Sequence, residues 1–354
     1  MEYSNKLLLK GNEAVVYGAL LAGCDCFFGY PITPASEIAQ TAAEKFPLLG
    51  RTFLQAECET AAINMVMGAS AAGRRAMTAS SGLGISLKQE GVSYIATMEL
   101  PCVIIDVMRG GPGLGNIAPE QADYNQITKG GGHGGYKVIV LAPGSAQEMC
   151  DFAGLAFDLA DKYRTPVYLL TDGVVGQMLE SVTLPAPRPR RESPAWALDF
   201  KVNPRTNYLT SIYMEPADLE KLNIHLNEKY ALIEENEQRC EEYLADDADI
   251  IISGFGICGR VIRTAADRLR AEGIRAGIIR PHTLFPFPKK ALRKHAGHAK
   301  SFVSVEMNNG QMIDDIKLAI DCSRPVSLVN RMGGNLITVD DVVRHVRQIA
   351  QGGN

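Results

Sequence analysis

The sequence predicts an α/β protein built on a parallel sheet, followed by a second and smaller α/β unit. Three observations carry this. Short apolar runs rich in β-branched residues alternate with helix-like segments from residue 11 to about 180; prolines break the pattern across 185–216; and the alternation resumes near Ala248. Runs that are apolar at every position indicate strands covered on both faces, the condition of a parallel sheet. A chain of 354 residues, 46% hydrophobic and 21% charged, buries a sizeable core and is long enough for two or three domains.

In the first block the strand-like runs are Cys102-Val103-Ile104-Ile105-Asp106-Val107, Lys137-Val138-Ile139-Val140-Leu141 and Pro166-Val167-Tyr168-Leu169-Leu170. Pro185, Pro187, Pro189, Pro194, Pro204 and Pro216 then interrupt any regular element. From Asp218 to Leu244 a charged stretch places Leu219, Leu222, Leu226, Tyr230 and Ile233 at three- or four-residue spacing, which predicts an amphipathic helix. The second block reads as a strand Asp249–Ser253, a helix through Arg270, a strand Ala276–Ile279, a turn-rich Arg280–Pro288 and a strand Phe302–Glu306. The expected partition is a first domain at 1–184, a linker and amphipathic helix at 185–246, and a second domain at 247–354.

Charge and cysteines narrow the function classes. The net charge of −4 gives no overall field for nucleic acid or an anionic membrane. Arg188-Pro189-Arg190-Arg191 reads as solvated linker. Met1 to Lys10 lacks the apolar stretch and cleavage site of a signal peptide, and no run of about 20 uncharged apolar residues is present, so a cytoplasmic protein without a membrane span is expected. None of the eight cysteines forms a C-x-x-C pair. A cluster or structural zinc takes about four such ligands, so this chain is expected to hold neither.

Several motifs bear on chemistry. Glu59 opens a stretch of small and apolar residues, Thr60 to Arg74, in which Gly68 and Gly73 permit close packing; at a helix N-terminus the partial positive charge favours an ionised carboxylate. Glu59 reads as a plain helix-start acid or as a site residue, with Glu57 a competitor. Gly29-Tyr30-Pro31-Ile32-Thr33-Pro34-Ala35-Ser36-Glu37 is a strand end, a turn between prolines and a helix start, where Thr33 also suits a turn hydroxyl or cap. After the strand ending at Met108, Arg109 enters the glycine loop Gly110-Gly111-Pro112-Gly113-Leu114-Gly115-Asn116, beyond a strand's carboxyl end, where ligands bind in such sheets. There it pairs either with a ligand acid or with a structural one. Thr78-Ala79-Ser80-Ser81-Gly82-Leu83-Gly84 also follows a strand and serves either a ligand or close packing. The run Gly130 to Gly135 reads as a surface loop, and His133 is given no catalytic role.

These motifs together resemble the pyrimidine-binding subunit of thiamine-diphosphate-dependent 2-oxoacid:ferredoxin oxidoreductases. The resemblance runs from Gly11 through Gly310-Gln311-Met312 and includes Arg280 to Pro288. It implies a pyrimidine-type domain followed by a transketolase C-terminal-like domain. The acid, the Ala61-Ala62 pair and Gly68 match the cofactor helix, which assigns Glu59 to N1′ of the aminopyrimidine. The Tyr30 to Pro34 signature and the glycine loop assign Thr33 and Arg109 to the substrate carboxylate; Pro31, Ser80, Ser81 and Gly82 are assigned to the cofactor. The implied reaction is oxidative decarboxylation of a 2-oxoacid to an acyl-coenzyme A with electrons passed to ferredoxin. A branched-chain substrate such as 3-methyl-2-oxobutanoate is favoured, with 2-oxoglutarate next.

One element of that chemistry is missing. A Gly-Asp-Gly sequence with a later Asn holds Mg²⁺ and the diphosphate in thiamine enzymes; here only Thr171-Asp172-Gly173 approximates it, and no metal is expected on this chain. The resemblance then implies a separate diphosphate-binding β subunit with the Mg²⁺, and γ or ferredoxin-type δ subunits with iron–sulfur clusters, the cofactor lying between chains. Two rivals stay open. Gly254-Phe255-Gly256-Ile257-Cys258-Gly259 is a G-x-G-x-x-G after a strand and before a helix, the dinucleotide fingerprint, which supports an NAD(P)-binding oxidoreductase. The other is a non-catalytic structural subunit.

Overall fold

The computed structural model describes residues 6–199 and 207–352. Its largest sheet has seven strands in the order Thr283–Phe285, Ile139–Leu141, Pro166–Asp172, Cys102–Met108, Ala76–Ser80, Cys26–Gly29 and Thr52–Gln55. All neighbours are parallel except the first pair. Successive residues of the central strands serve opposite cores, as period-two geometry requires. Val103, Ile105, Val107, Val167 and Leu169 pack on one side with Met149, Ala153 and Phe157 of the helix Ala146–Tyr163. Ile104, Tyr168 and Leu170 pack on the other with Ile85 and Val92 of the helix Leu83–Thr97. This is the two-faced burial that the continuous apolar runs predict.

A second sheet of five strands runs Val326–Asn330, Ser301–Glu306, Ile250–Ser253, Ala276–Pro281 and Cys240–Tyr243, parallel but for the last pair. Its core joins Ile252, Val303 and Val305 to Ile262 and Leu269 of the helix Ile257–Ala271 and to Val342 and Val346 of the helix Val339–Ala350. Lys6–Lys10 pairs antiparallel with Leu179–Thr183. No helix among the described residues is long and apolar enough to cross a membrane.

Four expectations are corrected. The helix expected from Asp218 to Leu244 spans Pro216–Asn236; Cys240–Tyr243 is instead an edge strand of the second sheet. Thr283–Phe285, read as turn, crosses back to pair with Val140 and Leu141 of the large sheet. Arg188, Arg190 and Arg191 are not a free solvated run: Arg188 bonds both oxygens of Asp158 at 2.8 and 2.7 Å, Arg191 pairs with Asp161, and Arg190 lies 3.6 Å from Asp25. They strap the linker to the first domain. A Cβ at Gly68 would meet nothing within 4 Å, so that glycine makes no close approach within the chain, whereas one at Gly91 would lie 2.5 Å from Ile63.

The tightest helix crossing is between Gly11–Leu21 and Ala146–Tyr163, where a Cβ at Gly18 would lie 2.1 Å from the Cys150 carbonyl oxygen. Alanine gains about 1 kcal/mol of helix propensity over glycine, but overpacking against backbone costs about 1–3 kcal/mol. Gly18→Ala is therefore expected to lower the urea midpoint of unfolding; an unchanged or higher midpoint would contradict this packing.

Candidate functional site

The site gathers where the central strands end. Strand ends in a parallel sheet expose unpaired backbone groups at one edge, and the loops leaving them converge there. The helix Glu59–Ala71 begins at this edge, capped by the Cys58 sulfur accepting from the Ala61 N–H at 3.5 Å, and stops before Gly73 at φ +79°. Glu59 is buried at 7% exposure, while Glu57 is exposed. The competing acid thus stands in solvent. The Glu59 carboxylate forms no hydrogen bond or ion pair among the described residues. It lies against Gly84, where a Cβ would sit 2.7 Å from its Oε1 and 2.1 Å from the Ser80 hydroxyl. Only glycine fits at position 84 without displacing both groups.

From Glu59 the site continues without a break. The Ser80 and Ser81 hydroxyls are buried and have no hydrogen-bond partner among the described residues. Gly82 turns at φ +49° into the helix Leu83–Thr97, and a Cβ there would lie 3.4 Å from Arg109 Nε. Arg109 donates to the carbonyls of Thr33 and Leu114, each at 3.2 Å. No acid lies within ion-pair distance of its guanidinium among the described residues, so the structural ion pair is not formed. The expected residues Glu59, Ser80, Ser81, Gly82, Arg109 and Thr33 therefore come together. Pro31 is exposed in the same turn as Thr33, two residues before it.

Arg109 opens on a cavity of about 670 Å³ between the two sheets. Gly82, Leu83 and Asp123 line it from the first domain, and Asn308, Met332 and Gly333 from the second. The segment Glu120–Tyr124 fixes this junction. Glu120 accepts from Gly111 N–H at 2.8 Å and Gly333 N–H at 2.9 Å. The Gln121 side chain donates to Asp172 at 3.2 Å and the Phe255 carbonyl at 2.9 Å.

Three ionisable groups at this edge, Lys88 and Asp106 buried and Asp123 half-buried, were not singled out from the sequence. Lys88 is wholly buried under the Glu59 helix, its Nζ 3.4 Å from the Glu59 carbonyl. Burial lowers its pKa to about 8, against the opposing pull of Glu59. Nothing in the spacing of Lys88 marks it. Asp106 and Asp123 lie by Gly82, and burial raises both carboxyl groups from their ordinary value, Asp106 well above it. Asp106 does carry a signal: an acid inside an unbroken apolar strand is costly without a purpose.

The glycine fingerprint at 254–259 serves packing. The Ile257 N–H donates to Asp172 Oδ2 at 2.8 Å, and a Cβ at Gly256 would lie 2.3 Å from the same atom. A carboxylate of the chain itself thus occupies the helix start where a dinucleotide phosphate binds. The Asp172 Oδ1 caps the helix Gly173–Gln177 through Val174 and Val175 N–H groups. Arg280, the residue that would face an NADP phosphate, bonds Glu148 at 3.0 Å and Glu241 at 2.9 Å. Elsewhere Glu242, Asp246 and His295 approach one another, but Lys294 already supplies the cation, 3.0 and 3.2 Å from the two acids. His133 is exposed and its carbonyl accepts from Ser93 Oγ at 2.6 Å.

Residues 17–242 match the family described as "Pyruvate flavodoxin/ferredoxin oxidoreductase, thiamine diP-bdg", and residues 248–342 match "Pyruvate:ferredoxin oxidoreductase core domain II". The chain is 57% identical to the ketoisovalerate oxidoreductase subunit VorB of Methanothermobacter marburgensis, covering 98% of this chain and 99% of that one. It is 35% identical to the 2-oxoglutarate synthase subunit KorA of the same organism, covering 97% and 99%. Among solved structures it superposes on the 2-oxoglutarate:ferredoxin oxidoreductase of Magnetococcus marinus with 2-oxoglutarate, coenzyme A and succinyl-CoA bound. The TM-score is 0.85 at 28% identity, over 98% of this chain and 66% of that one. A split-gene transketolase, at 16% identity and a TM-score of 0.58 over 95% of this chain and 97% of that one, shares the fold. With a family model spanning residues 17–242 and relatives alike over nearly its whole length, the chain belongs to the thiamine-diphosphate-dependent 2-oxoacid:ferredoxin oxidoreductases.

Proposed function

We propose that this chain is the pyrimidine-binding subunit of an enzyme that oxidatively decarboxylates a branched-chain 2-oxoacid, 3-methyl-2-oxobutanoate foremost, to its acyl-coenzyme A and passes the electrons to ferredoxin. The observation that carries the proposal is the buried Glu59 carboxylate and two buried serine hydroxyls, none with a partner among the described residues, beside an Arg109 that donates to backbone carbonyls and meets no acid there. Buried polar groups are ordinarily paired, so a set without partners suits a polar ligand, and the pyrimidine end of thiamine diphosphate fits it. Nothing in this set grips a diphosphate. That grip, with its Mg²⁺, is assigned to a β subunit, and the iron–sulfur clusters to γ or δ subunits.

When bound, thiamine diphosphate would supply the nucleophilic carbon and the electron sink that decarboxylation of a 2-oxoacid needs. Glu59 would hold a proton against pyrimidine N1′, an exchange that is strong only where water is excluded. Ser80 and Ser81 offer hydroxyls, and Gly82 and Gly84 leave room beside them. Arg109 would pair with the substrate carboxylate, and Thr33, whose carbonyl already orients the guanidinium, would flank it.

The cavity's charge supports the substrate order. Its lining carries one cation, Arg109, and two acids, Glu120 and Asp123. A substrate with one carboxylate finds a partner there, whereas the second carboxylate of 2-oxoglutarate meets repulsion from this chain's share of the pocket. Leu83 and Met332 offer an apolar wall for a branched side chain. The 57% identity to a ketoisovalerate oxidoreductase subunit, against 35% to a 2-oxoglutarate synthase subunit, favours the same order.

Three outcomes follow for the assembled complex. Glu59→Gln is expected to cut kcat by about 10²–10⁴, the usual worth of a positioned proton-transfer group, while Glu57→Gln leaves it near wild type; retained activity in Glu59→Gln would favour a structural subunit. Arg109→Ala is expected to raise KM for the oxoacid by about 10–100-fold, since a charge-assisted hydrogen bond is worth roughly 1.5–3 kcal/mol; an unchanged KM would remove Arg109 from the substrate. In steady-state assays with coenzyme A and a low-potential acceptor, 3-methyl-2-oxobutanoate is expected to exceed 2-oxoglutarate in kcat/KM by about tenfold or more. The reverse order would overturn the substrate assignment.

A further inference from the structure

Two acids outside the proposed catalytic set stand together beneath the Gly82 turn. Asp106, fully buried, lies near the end of the strand Cys102–Met108; Asp123 precedes the helix Tyr124–Thr128 and lines the cavity. Neither oxygen of Asp106, nor Oδ2 of Asp123, takes a hydrogen bond from an ordinary donor among the described residues. Asp106 pairs in register with Ser80 and Asp123 lines the cavity together with Gly82, so both carboxyl groups lie at this turn, close enough to act on each other's protonation. Two carboxylates in such a place repel and are poorly solvated, a conflict relieved when one of them keeps its proton.

We propose that Asp106 and Asp123 hold one proton between them and, as a carboxyl–carboxylate pair set against the Gly82 amide, keep the Ser80–Gly82 turn and Arg109 in register with Glu59. They are positioning residues for the reaction; this role rests on the function proposed above, whereas the shared proton does not. Burial pushes Asp106 well above the carboxyl range, with the neighbouring Asp123 adding to the rise. Burial also raises Asp123, Glu120 adding to it while contact with Asp106, the Gly82 N–H and Arg109 oppose it. The phenol of Tyr168 also feels Asp106, and burial is the largest cause that raises it.

The sign of the pH dependence follows. A pair that binds more protons folded than unfolded is stabilised at low pH; that contribution falls as pH climbs past the ordinary carboxyl range and is gone once the shared proton leaves. Loss of that proton sets two anions under the turn and displaces Gly82 and Arg109. Asparagine at either position supplies an amide N–H in place of the proton, which removes the need to hold one.

Infrared difference spectra of the purified complex at neutral pH, wild type minus Asp106→Asn and wild type minus Asp123→Asn, test the pair directly. Each is expected to reveal a protonated-carboxyl C=O band in the wild type that both variants lack and that shifts on ¹³C-aspartate labelling. In the pH profile of kcat/KM, the alkaline limb is expected to move up by about one unit or more in Asp106→Asn, whatever its absolute rate. A spectrum with no such band, or an alkaline limb that stays where the wild type has it, overturns the proposal. A band that behaves as expected in a complex without thiamine-dependent activity would sustain the proton pair and sink the proposed function instead.

Discussion

The constraint on which the rest of the structure depends is the burial of the central parallel sheet on both faces. Val103, Ile105 and Val107 face one core and Ile104 the other, so the body of the strand Cys102–Met108 has no face left for solvent. Polar chemistry is confined to the carboxyl edge, where the loops after Gly29, Ser80, Met108 and Asp172 converge. Each loop spends its polar residue there: Thr33, Ser81, Arg109 and the helix-capping Asp172. The acid Glu59 reaches the same edge from a neighbouring helix start.

Glycine sets how closely these groups approach. At Gly84 a side chain would displace both Ser80 and Glu59, and at Gly256 it would displace Asp172. The two positions do different work. Gly84 brings a serine and a carboxylate together with no protein partner between them, which leaves room for a ligand. Gly256 lets an Asp172 oxygen reach the Ile257 amide, which closes that helix start to any outside anion. A glycine-rich turn before a helix is thus open chemistry in one place and packing in the other, and only the partners distinguish them.

Much of the fold was legible because its strands are long and apolar. The runs at 102–107 and 166–170 announce themselves, as does the small-residue helix after Glu59. The strands Cys240–Tyr243 and Thr283–Phe285 did not: three or four residues show no periodicity, and pairing with a distant strand decides their state. The site divides similarly. Glu59, Thr33 and Arg109 are candidates on local motifs joined by a family resemblance, while the contact of Arg109 with Thr33 across 76 positions is a tertiary fact. Lys88 hides inside an ordinary helix pattern, and the meeting of Asp106 with Asp123 depends on how the loop after residue 109 returns to the sheet.

The central claim is that Glu59 serves the pyrimidine ring of a coenzyme whose phosphates another chain holds. An experimental structure of the assembled complex with thiamine diphosphate tests it most directly. A Glu59 carboxylate oxygen is expected about 2.7 Å from pyrimidine N1′, within hydrogen-bond range, with the diphosphate on a different polypeptide. A pyrimidine that meets another acid, or a diphosphate held by residues of this chain, would contradict it.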